Sequence, residues 1–537
     1  MTDPNARTIQ ARSALHARNR PDHVAIVCED REVTYATLHR ESNRTAHALL
    51  AAGLERGARV AYLGRESEHY YDLAVACAKS GTVLVPINWR LTPVEVDHIL
   101  RDSQAELLLV EHEFRRSAER VRADLPRLRD VVQMDTGGDD RASGFLAWKD
   151  GHPDTDLEPG TGTDDPVAQM YTSGTTGLPK GVVLAHRTFF AFIDSMQRAG
   201  VDWIDWLPED RSLSGFPGLH AGGYAWFFHC FNVGATSVIM RMWIAEEAVA
   251  LVERLGITTI WAAPAMLQMM LAEPIATPER FRSLRKVVYG GSPISRELML
   301  ECIERLGHVM TQAYACAESG SFVTALTAAE HVPGSPVLAS AGRVCPGCQV
   351  RIVGDDGEEL PQGEIGRIAI WSPAHFVEYW RLPEATEAML RDGWLFTSDA
   401  GYLDERGYLF LRDRVNDTII VAAQNIYPVE VEEALRAHPA VADVAVFGVP
   451  HPRWGEAVRA AVVLREGERA TPRDLMRFLR GRIADFKIPT GYSFVDSLPR
   501  NPTGKVLRRV LKEQLADGQP ATRGAPQPAA PAGAPAR

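Results

Sequence analysis

The sequence predicts an α/β fold, and two patterns support this prediction. Strand-like and helix-like segments alternate, beginning with an apolar run at Arg59–Leu63, a helical pattern near 71–80 and another apolar run at Thr82–Pro86. From residue 341 to 410 this alternation gives way to short strands and turn signals, such as Asp355-Asp356-Gly357, which predict a small β subdomain. The 537 residues exceed one ordinary domain, so we expect at least two.

Further segments extend this prediction along the chain. Thr34 is placed to cap the helix that follows it. The stretch Arg115–Pro166 is mostly polar with Gly, Asp and Pro clusters, which is typical of a connector. Near the C-terminus, Val441–Val449 and Ala460–Leu464 have the pattern of strands, and Thr471 is placed to cap another helix. These last segments predict a compact α+β domain.

Composition excludes several classes of protein. The net charge of −11 is spread without a long basic run, which argues against a nucleic-acid binder. No apolar run is long enough to span a bilayer, and the first residues lack the apolar core of a signal peptide. Seven scattered cysteines are typical of a reducing compartment, so we expect a cytoplasmic protein. Cys345 and Cys348 have no partner pair nearby in the sequence, which favours a turn with two free thiols over a redox or zinc site.

One glycine-rich stretch, Thr172–Gly181, carries the strongest chemical signal. Its glycines reach backbone angles that let consecutive N–H groups point into one concavity, which suits an anion. Hydroxyl side chains and Lys180 add further donors. Because Lys180 is followed by glycine, the stretch is not a Walker A loop. The alternative is a flexible surface loop, but the apolar runs on both sides favour a phosphate-binding loop.

This stretch, read Thr-Ser-Gly-Thr-Thr-Gly-Leu-Pro-Lys-Gly, resembles the signature of the adenylate-forming superfamily, which includes acyl-CoA synthetases. Similar motifs follow in the family's order, and the resemblance extends from about Thr34 to Lys505. It implies two α/β subdomains plus a small β-barrel subdomain in domain 1–413, and a mobile C-terminal domain at 414–515. Asn416 takes the hinge position. The tail 516–537 has few large apolar residues and is expected to be disordered.

The resemblance also implies an activity and a set of residues that bind ATP. A carboxylic acid would react with ATP to give acyl-AMP and pyrophosphate, and the acyl group would then pass to CoA. Lys505, Lys180 and Glu318 would be catalytic, and Mg²⁺ would lie on Glu318 with Thr175. The expected nucleotide contacts are Thr172, Ser173, Gly174, Thr175, Thr176, Gly177, Lys180, Gly291, Ser292, Pro293, Tyr314, Asp399, Arg414 and Lys505.

For the acid, the resemblance points to a pocket around His220. A buried histidine with ordinary hydrogen bonds is the alternative, but its place in the motif order favours the pocket. Phe216 is followed by proline where amino-acid-activating relatives carry an aspartate, which disfavours an α-amino acid. The predicted pocket residues are His220, Tyr224, Trp261, Ala313 and Ala315. Asn88–Leu91 also match the family and are given a structural role.

Some positions depart from the family pattern. Ala315 replaces a glycine, Ala317 replaces a threonine that contacts the α-phosphate, and Ala422-Ala423 replaces a Gly-Gly turn beside the thiol tunnel. Two alternatives therefore stay open. One is a ligase that passes the acyl group to an amine or a carrier-protein thiol, and the other is a decayed nucleotide-binding relative. A homodimer is possible on general grounds.

Overall fold

The computed structural model describes residues 6–91, 93–122, 125–134, 144–158, 160–172, 179–354, 356–414, 419–421, 424–426, 428–451, 455–483, 485–500 and 506–515. The helices are α1 Ile9–Asn19, α2 Tyr35–Ala51, α3 Glu68–Ser80, α4 Pro93–Ser103, α5 Arg115–Arg122, α6 Phe145–Lys149, α7 His186–Ala199, α8 Ala221–Val233, α9 Ala245–Leu255, α10 Pro264–Ala272, α11 Arg296–Leu306, α12 Pro383–Met389, α13 Pro428–Arg436, α14 Pro472–Leu479 and α15 Arg508–Leu515.

The strands up to β15 are β1 Val24–Cys28, β2 Arg31–Thr34, β3 Arg59–Gly64, β4 Val83–Asn88, β5 Leu107–Glu111, β6 Asp130–Met134, β7 Pro166–Thr172, β8 Lys180–Ala185, β9 Arg211–Ser214, β10 Thr236–Ile239, β11 Thr259–Ala262, β12 Lys286–Gly290, β13 Met310–Tyr314, β14 Thr324–Leu326 and β15 Arg343–Val344. The later strands are β16 Gln349–Val353, β17 Gly366–Trp371, β18 Glu378–Tyr379, β19 Leu390–Arg391, β20 Trp394–Leu403, β21 Leu409–Arg414, β22 Ile419–Val421, β23 Gln424–Ile426, β24 Val441–His451, β25 Gly455–Leu464 and β26 Gly491–Phe494.

The described residues divide into two compact units. The first is built from residues up to Thr397 together with Tyr402–Phe410, and the second from Ser398–Gly401 and residues from Leu411 onward. The predicted boundary at 413/414 and the predicted tail stay predictions. None of the described helices has both the length and the apolar character needed to cross a bilayer.

Two large sheets form the centre of the first unit. One has nine strands in the order β15-β14-β13-β12-β11-β9-β10-β1-β2, and the other has seven in the order β18-β8-β7-β4-β3-β5-β6. Their central strands are parallel and almost fully buried, as in β4 and β12, because helices cover both faces of such sheets. Strands β16, β17, β19, β20 and β21 form a five-stranded sheet where the small β subdomain was predicted.

The helix caps follow the predicted chemistry. The side chain of Thr34 accepts a hydrogen bond from the N–H of Thr37 at 3.2 Å, so α2 begins where the sequence indicates. Ser67 caps α3 in the same way by accepting from the N–H of Tyr70 at 3.2 Å. Because this cap fixes the start of α3, it also sets the direction in which the side chains of its first turn point.

The segment Arg115–Pro166, predicted to be a connector, is partly regular structure, and that prediction was wrong. It contains α5, the edge strand β6 and α6. Lys149 of α6 is buried and forms ion pairs with Asp72 of α3 and with Glu41 of α2, the latter at 2.8 Å. A lysine rarely tolerates burial without a carboxylate partner, so this pairing fixes α6 against the two helices.

The second unit is an α+β domain, as predicted. Strands β24 and β25 form a long antiparallel pair, and β22, β23 and β26 complete the described sheet. Helices α13 and α14 contribute Leu435 and Leu475 to the core on this sheet. Thr471 caps α14, accepting from the N–H of Asp474 at 3.3 Å.

Cys345 and Cys348 lie in a turn, as predicted. The N–H of Cys348 donates to the carbonyl of Cys345 at 3.0 Å, and both are free thiols. Gly347 between them has a φ of +83°, which a residue with a side chain rarely adopts. Burial raises the pKa of both thiols, to about 11 for Cys348, so they are poor nucleophiles.

Candidate active site

The predicted phosphate-binding stretch connects two paired strands. Thr172 ends β7 and Lys180 begins β8, and the two residues are partners in the antiparallel register. Ser173, Gly174, Thr175, Thr176 and Gly177 lie outside the described residues. The structure therefore gives the two ends of this hairpin, while the conformation of the loop between them stays a prediction.

A single tyrosine brings together two of the predicted catalytic residues. The hydroxyl of Tyr379 donates to Glu318 Oε1 at 2.6 Å, and the ammonium of Lys180 lies 5.2 Å from the centre of the same ring. The ring face carries negative potential, so it attracts the ammonium. Burial and the neighbouring Glu318 carboxylate raise the pKa of Tyr379, which keeps its proton for this hydrogen bond.

Strand pairing explains how Tyr379 reaches this position. The two-residue strand β18 pairs with β8, with Tyr379 opposite Val182. The N–H of Phe376 donates to the carbonyl of Glu318 at 2.8 Å. Gly320 is tightly packed there, because an added Cβ would lie 1.9 Å from the carbonyl oxygen of Ala374. The site thus forms where a segment from beyond β17 bridges the two large sheets.

The residues expected to border the adenine lie at one edge of the nine-stranded sheet. Strands β12 and β13 are parallel neighbours with Gly290 opposite Ala313, so the residues after each strand share the carboxyl edge. Gly291, with a φ of +78°, follows β12, and Tyr314 ends β13 as a buried side chain. Ser292 is half-buried, whereas Pro293 and Ala315 are exposed.

His220 is fixed by a residue from the other sheet. Its Nε2 lies 3.3 Å from Nδ2 of Asn88, which ends β4. The N–H of Arg90 donates to Oδ1 of Asn88 at 3.0 Å, so the amide nitrogen is the group that faces the imidazole. His220 Nε2 must therefore accept, and its proton is on Nδ1. Burial, with the nearby Arg90 charge, lowers the pKa of His220 to about 4.

The other predicted pocket residues lie among aromatic rings. Trp261 stacks on Phe216 with ring centres 4.7 Å apart, and Phe322 meets its edge at 5.2 Å. Ala313 belongs to the same buried cluster. Tyr224 of α8 is fully buried and packs on Phe228 at 4.8 Å. The structure thus brings Trp261 and Ala313 together, while Tyr224 packs between Phe228 of its own helix and Phe189 of α7.

Four predicted residues belong to the second unit or to its undescribed parts. Asp399 lies on β20 and is half-buried. Arg414 ends β21, where the structure describes its backbone but not its side chain. Asn416 and Lys505 are outside the described residues altogether. Their roles as ribose, nucleotide, hinge and catalytic residues stay predictions.

Sequence reasoning missed two residues of the site. Tyr379 was not singled out, and Asn88 was given only a structural role. The available signals were weak: an aromatic pair, Tyr379-Trp380, in a polar stretch, and a polar residue directly after the apolar strand β4. Neither pattern alone indicates contact with a residue more than 60 positions away.

Comparison with known proteins decides the family. Residues 14–380 match the model of the AMP-binding enzymes, and residues 430–505 match the model of their C-terminal domain. The chain belongs to the AMP-binding enzyme family. The sequence-based identification is therefore confirmed, as is the mixed α/β fold with a large N-terminal and a small C-terminal domain.

Relatives of this AMP-binding enzyme are ligases. It is 50% identical over 513 residues to the fatty acid–[acyl-carrier-protein] ligase ScoC of Streptomyces coeruleorubidus, covering 95% of this chain and 97% of ScoC. It is 34% identical to a feruloyl-CoA synthase of an Amycolatopsis species, with 93% and 97% coverage. The structure of ATP-bound MatB from Rhodopseudomonas palustris matches with a TM-score of 0.85 at 29% identity, over 95% and 99% of the chains. The predicted enzyme class, an AMP-forming acid–thiol ligase, is confirmed.

Proposed function

We propose that this ligase holds ATP and Mg²⁺ around Lys180, Tyr379 and Glu318 for attack by a carboxylate, and then passes the acyl group to the thiol of CoA. The cluster of these three side chains is the observation that supports the proposal most. In this cluster the Lys180 ammonium lies over the ring of Tyr379 and the Glu318 carboxylate accepts from its hydroxyl, beside the hairpin predicted to bind phosphates. An ammonium is a common ligand of phosphate oxygens, and carboxylates hold divalent cations.

The donor set fits Mg²⁺. This ion usually takes one or two carboxylates and completes its shell with phosphate oxygens and water. Glu318 supplies a carboxylate of which Oε1 is restrained by Tyr379, and Thr175 is the second proposed ligand. Among the described residues, no group of three or more His, Cys, Asp or Glu side chains could form a complete metal cage. When bound, Mg²⁺ would neutralise charge on the phosphates.

The protein's own contribution is positioning and electrostatics. In the proposed first step, the carboxylate oxygen bonds to the α-phosphorus and pyrophosphate leaves, so negative charge gathers on phosphate oxygens. Lys180 and the loop amides would hold the β- and γ-phosphates, and Lys505 would contact the carboxylate and the α-phosphate. The remaining contacts to ATP are proposed to come from Thr172, Ser173, Gly174, Thr175, Thr176, Gly177, Gly291, Ser292, Pro293, Tyr314, Asp399 and Arg414.

The acid is proposed to bind beside His220. This imidazole is neutral at physiological pH and carries its proton on Nδ1, so it can donate a hydrogen bond without adding a charge. The aromatic cluster around Trp261 supports an acid with an apolar body. The α-amino group of an amino acid would find no carboxylate partner at Phe216-Pro217, where relatives that activate amino acids have one.

The thiol acceptor has two candidates. CoA is the one predicted from the sequence, and relatives such as the feruloyl-CoA synthase use it by name. A carrier-protein thiol is favoured by the 50% identity to ScoC over nearly the whole of both chains. Ala422-Ala423, which we expect to narrow the thiol tunnel, lies outside the described residues. A cytoplasmic location and a homodimer stay predictions.

Pyrophosphate exchange with a panel of acids tests the first half-reaction. We expect ATP-dependent exchange with at least one apolar acid and little with α-amino acids. The accepted acid is then offered with CoA, with a phosphopantetheinylated carrier protein and with simple amines, and the product is measured by mass spectrometry. A thioester with CoA supports the proposal, and a thioester only on the carrier supports the second candidate. Binding of ATP without exchange for any acid would overturn both.

A further inference from the structure

Glu66 is a buried carboxyl group that the proposed reaction does not use. It precedes Ser67, the N-cap of α3, and is 7% exposed. Tyr71, one turn into α3, donates its hydroxyl to Glu66 Oε1 at 2.5 Å. A carboxyl group so deeply buried needs hydrogen-bond donors to be tolerated, and the Tyr71 hydroxyl is one of them.

The second neighbour of Glu66 is the backbone of Gly218, two residues before His220. An added Cβ on Gly218 would lie 3.0 Å from Glu66 Oε1 and 2.3 Å from the hydroxyl oxygen of Tyr71. The Gly218 backbone also hydrogen-bonds the carboxylate. Tyr70 donates its hydroxyl to the carbonyl of Gly218 at 2.7 Å. Gly218 is thus contacted by Tyr70 at its carbonyl and by Glu66 and Tyr71 at its Cα.

The contact is rigid on the side of α3. Tyr70 and Tyr71 are fully buried, and the ring of Tyr71 stacks on Phe227 of α8 with centroids 3.7 Å apart. Helix α8 begins directly after His220. Asn88, at the end of β4 in the seven-stranded sheet, contacts His220. The segment Phe216–His220 is therefore held at Gly218 and at His220 by residues of the seven-stranded sheet and its helix.

We infer that Glu66 is a positioning residue, which acts through Tyr71 and Gly218 to hold the segment Phe216–His220 in the shape that binds the acid. The expected change in KM for the acid rests on the proposed function, whereas the expected loosening of Phe216–His220 does not. Removing the carboxyl group would take away one of the contacts that hold Gly218 and would give Phe216 and His220 more freedom to shift. ATP binding, which depends on other residues, would be preserved.

The ionisation of Glu66 adds a testable signature. Burial raises the pKa of Glu66 to about 7, although the hydrogen bonds from Tyr71 and Gly218 oppose this shift. The titratable groups that face it are Tyr62, Tyr70 and Tyr71, whose pKa values burial raises, so they stay neutral through this range. Because the buried site favours the protonated form, ionisation of Glu66 above pH 7 should loosen its hold on the segment.

Kinetics of pyrophosphate exchange test this inference. We expect Glu66→Ala to raise KM for the acid about tenfold or more, as for loss of a hydrogen bond to a charged group, and to leave KM for ATP within about twofold. Glu66→Gln should keep the low-pH behaviour of the wild type at every pH, without the fall in kcat/KM for the acid that ionisation of Glu66 causes near pH 7 in the wild type. Unchanged acid KM in Glu66→Ala, or identical pH profiles, would overturn the inference.

A second measurement does not depend on activity. Hydrogen–deuterium exchange of peptides covering Phe216–His220 should speed up about tenfold or more in Glu66→Ala and in Tyr71→Phe. Tyr35→Phe is the matched control, because it removes a buried hydroxyl that donates to the carbonyl of Ala235 at 2.7 Å elsewhere. If the wild type shows no exchange of pyrophosphate with any acid, only the proposed function fails. If the peptides keep their protection in both variants, the inference fails.

Discussion

Replacing Tyr379 by phenylalanine isolates the contribution of one hydroxyl to the site. The variant keeps the ring whose face lies 5.2 Å from the Lys180 ammonium and removes only the donor to Glu318 Oε1 at 2.6 Å. Tyr379 is 7% exposed, so water cannot easily replace the lost hydroxyl. Glu318 is only half-buried, and its carboxylate can still reach solvent. The substitution should therefore leave the fold intact and free the carboxylate to move.

The size of the effect follows from these contacts. A hydrogen bond to a charged group contributes about 1.5–3 kcal/mol, and partial exposure of Glu318 reduces this to about 1–2 kcal/mol. If Glu318 holds Mg²⁺ as proposed, that free energy corresponds to a rise of about 5- to 30-fold in KM for Mg²⁺–ATP. The KM for the acid should change by less than about twofold, because the side-chain contacts of Tyr379 among the described residues, with Glu318, Lys180 and Phe376, include none of the predicted pocket residues.

Steady-state pyrophosphate exchange at varied Mg²⁺–ATP measures this effect. Tyr408→Phe serves as the matched control, because Tyr408 donates to Glu330 Oε1 at 2.5 Å away from the site. The control should keep the wild-type KM for Mg²⁺–ATP. An unchanged KM in Tyr379→Phe, with an intact fold by circular dichroism, would show that Tyr379 does not restrain a metal-binding carboxylate.

Three further substitutions test other parts of the structure. Lys505→Ala should abolish adenylate formation but spare thiol transfer from supplied acyl-adenylate, measured as two separate half-reactions. Gly218→Ala should lower the free energy of unfolding by about 1–3 kcal/mol in thermal denaturation, since its Cβ would lie 2.3 Å from the Tyr71 oxygen. Glu66→Gln should gain stability over the wild type as pH rises from 4.5 to about 7, up to about 3 kcal/mol in chemical denaturation. Burial raises the Glu66 pKa from 4.5 to about 7, so the stability from this group is present below pH 4.5 and lost above it.

Each of these has a result that would contradict it. Equal loss of both half-reactions in Lys505→Ala would reject its assigned role. Gly222→Ala is the control for Gly218→Ala, since its nearest atom would be 3.5 Å away, and an equal loss of stability in both would show that the crowding at Tyr71 is unimportant. A pH-independent stability difference between Glu66→Gln and the wild type would mean that Glu66 titrates normally.

Elements with a strong local pattern were predictable. The apolar run Arg59–Leu63 became β3, which extends one residue further to Gly64, and the run at Thr82–Pro86 became β4. The cap at Thr34 was confirmed because a threonine hydroxyl before an apolar-periodic segment has one obvious partner, the N–H three residues later. Such elements can be predicted because the residues that determine them lie within a few positions of one another in the sequence.

The segment 115–166 was not predictable for a related reason. Strand β6 lies at the edge of its sheet and buries only alternate residues, so its pattern is weak. The short helix α6 is fixed largely by Lys149, whose carboxylate partners Glu41 and Asp72 lie far away in sequence. No local pattern reveals that a lysine in a polar stretch will be buried by distant acids.

The same limit applies to the site. Lys180 and Glu318 could be proposed from their motifs, but the residue between them could not. Tyr379 reaches Glu318 through a two-residue strand paired with β8, and so short a strand leaves no periodicity. Glu66 was missed because a glutamate before a helix cap normally faces solvent. Its burial follows from contact with Gly218, more than 150 positions later.

The position of the first strand has a consequence during synthesis. Strand β1, near the N-terminus, has its parallel neighbour β10 at Thr236–Ile239, with Ile26 opposite Ser237. At about 5–20 residues per second, the ribosome needs roughly 10–40 s to make the intervening chain. Throughout that interval the apolar strand Val24–Cys28 can pair with β2 on one side only, and its other edge stays open to other nascent chains. We therefore expect the yield of folded enzyme to depend on shielding of the β1–β2 hairpin until residue 239 has emerged.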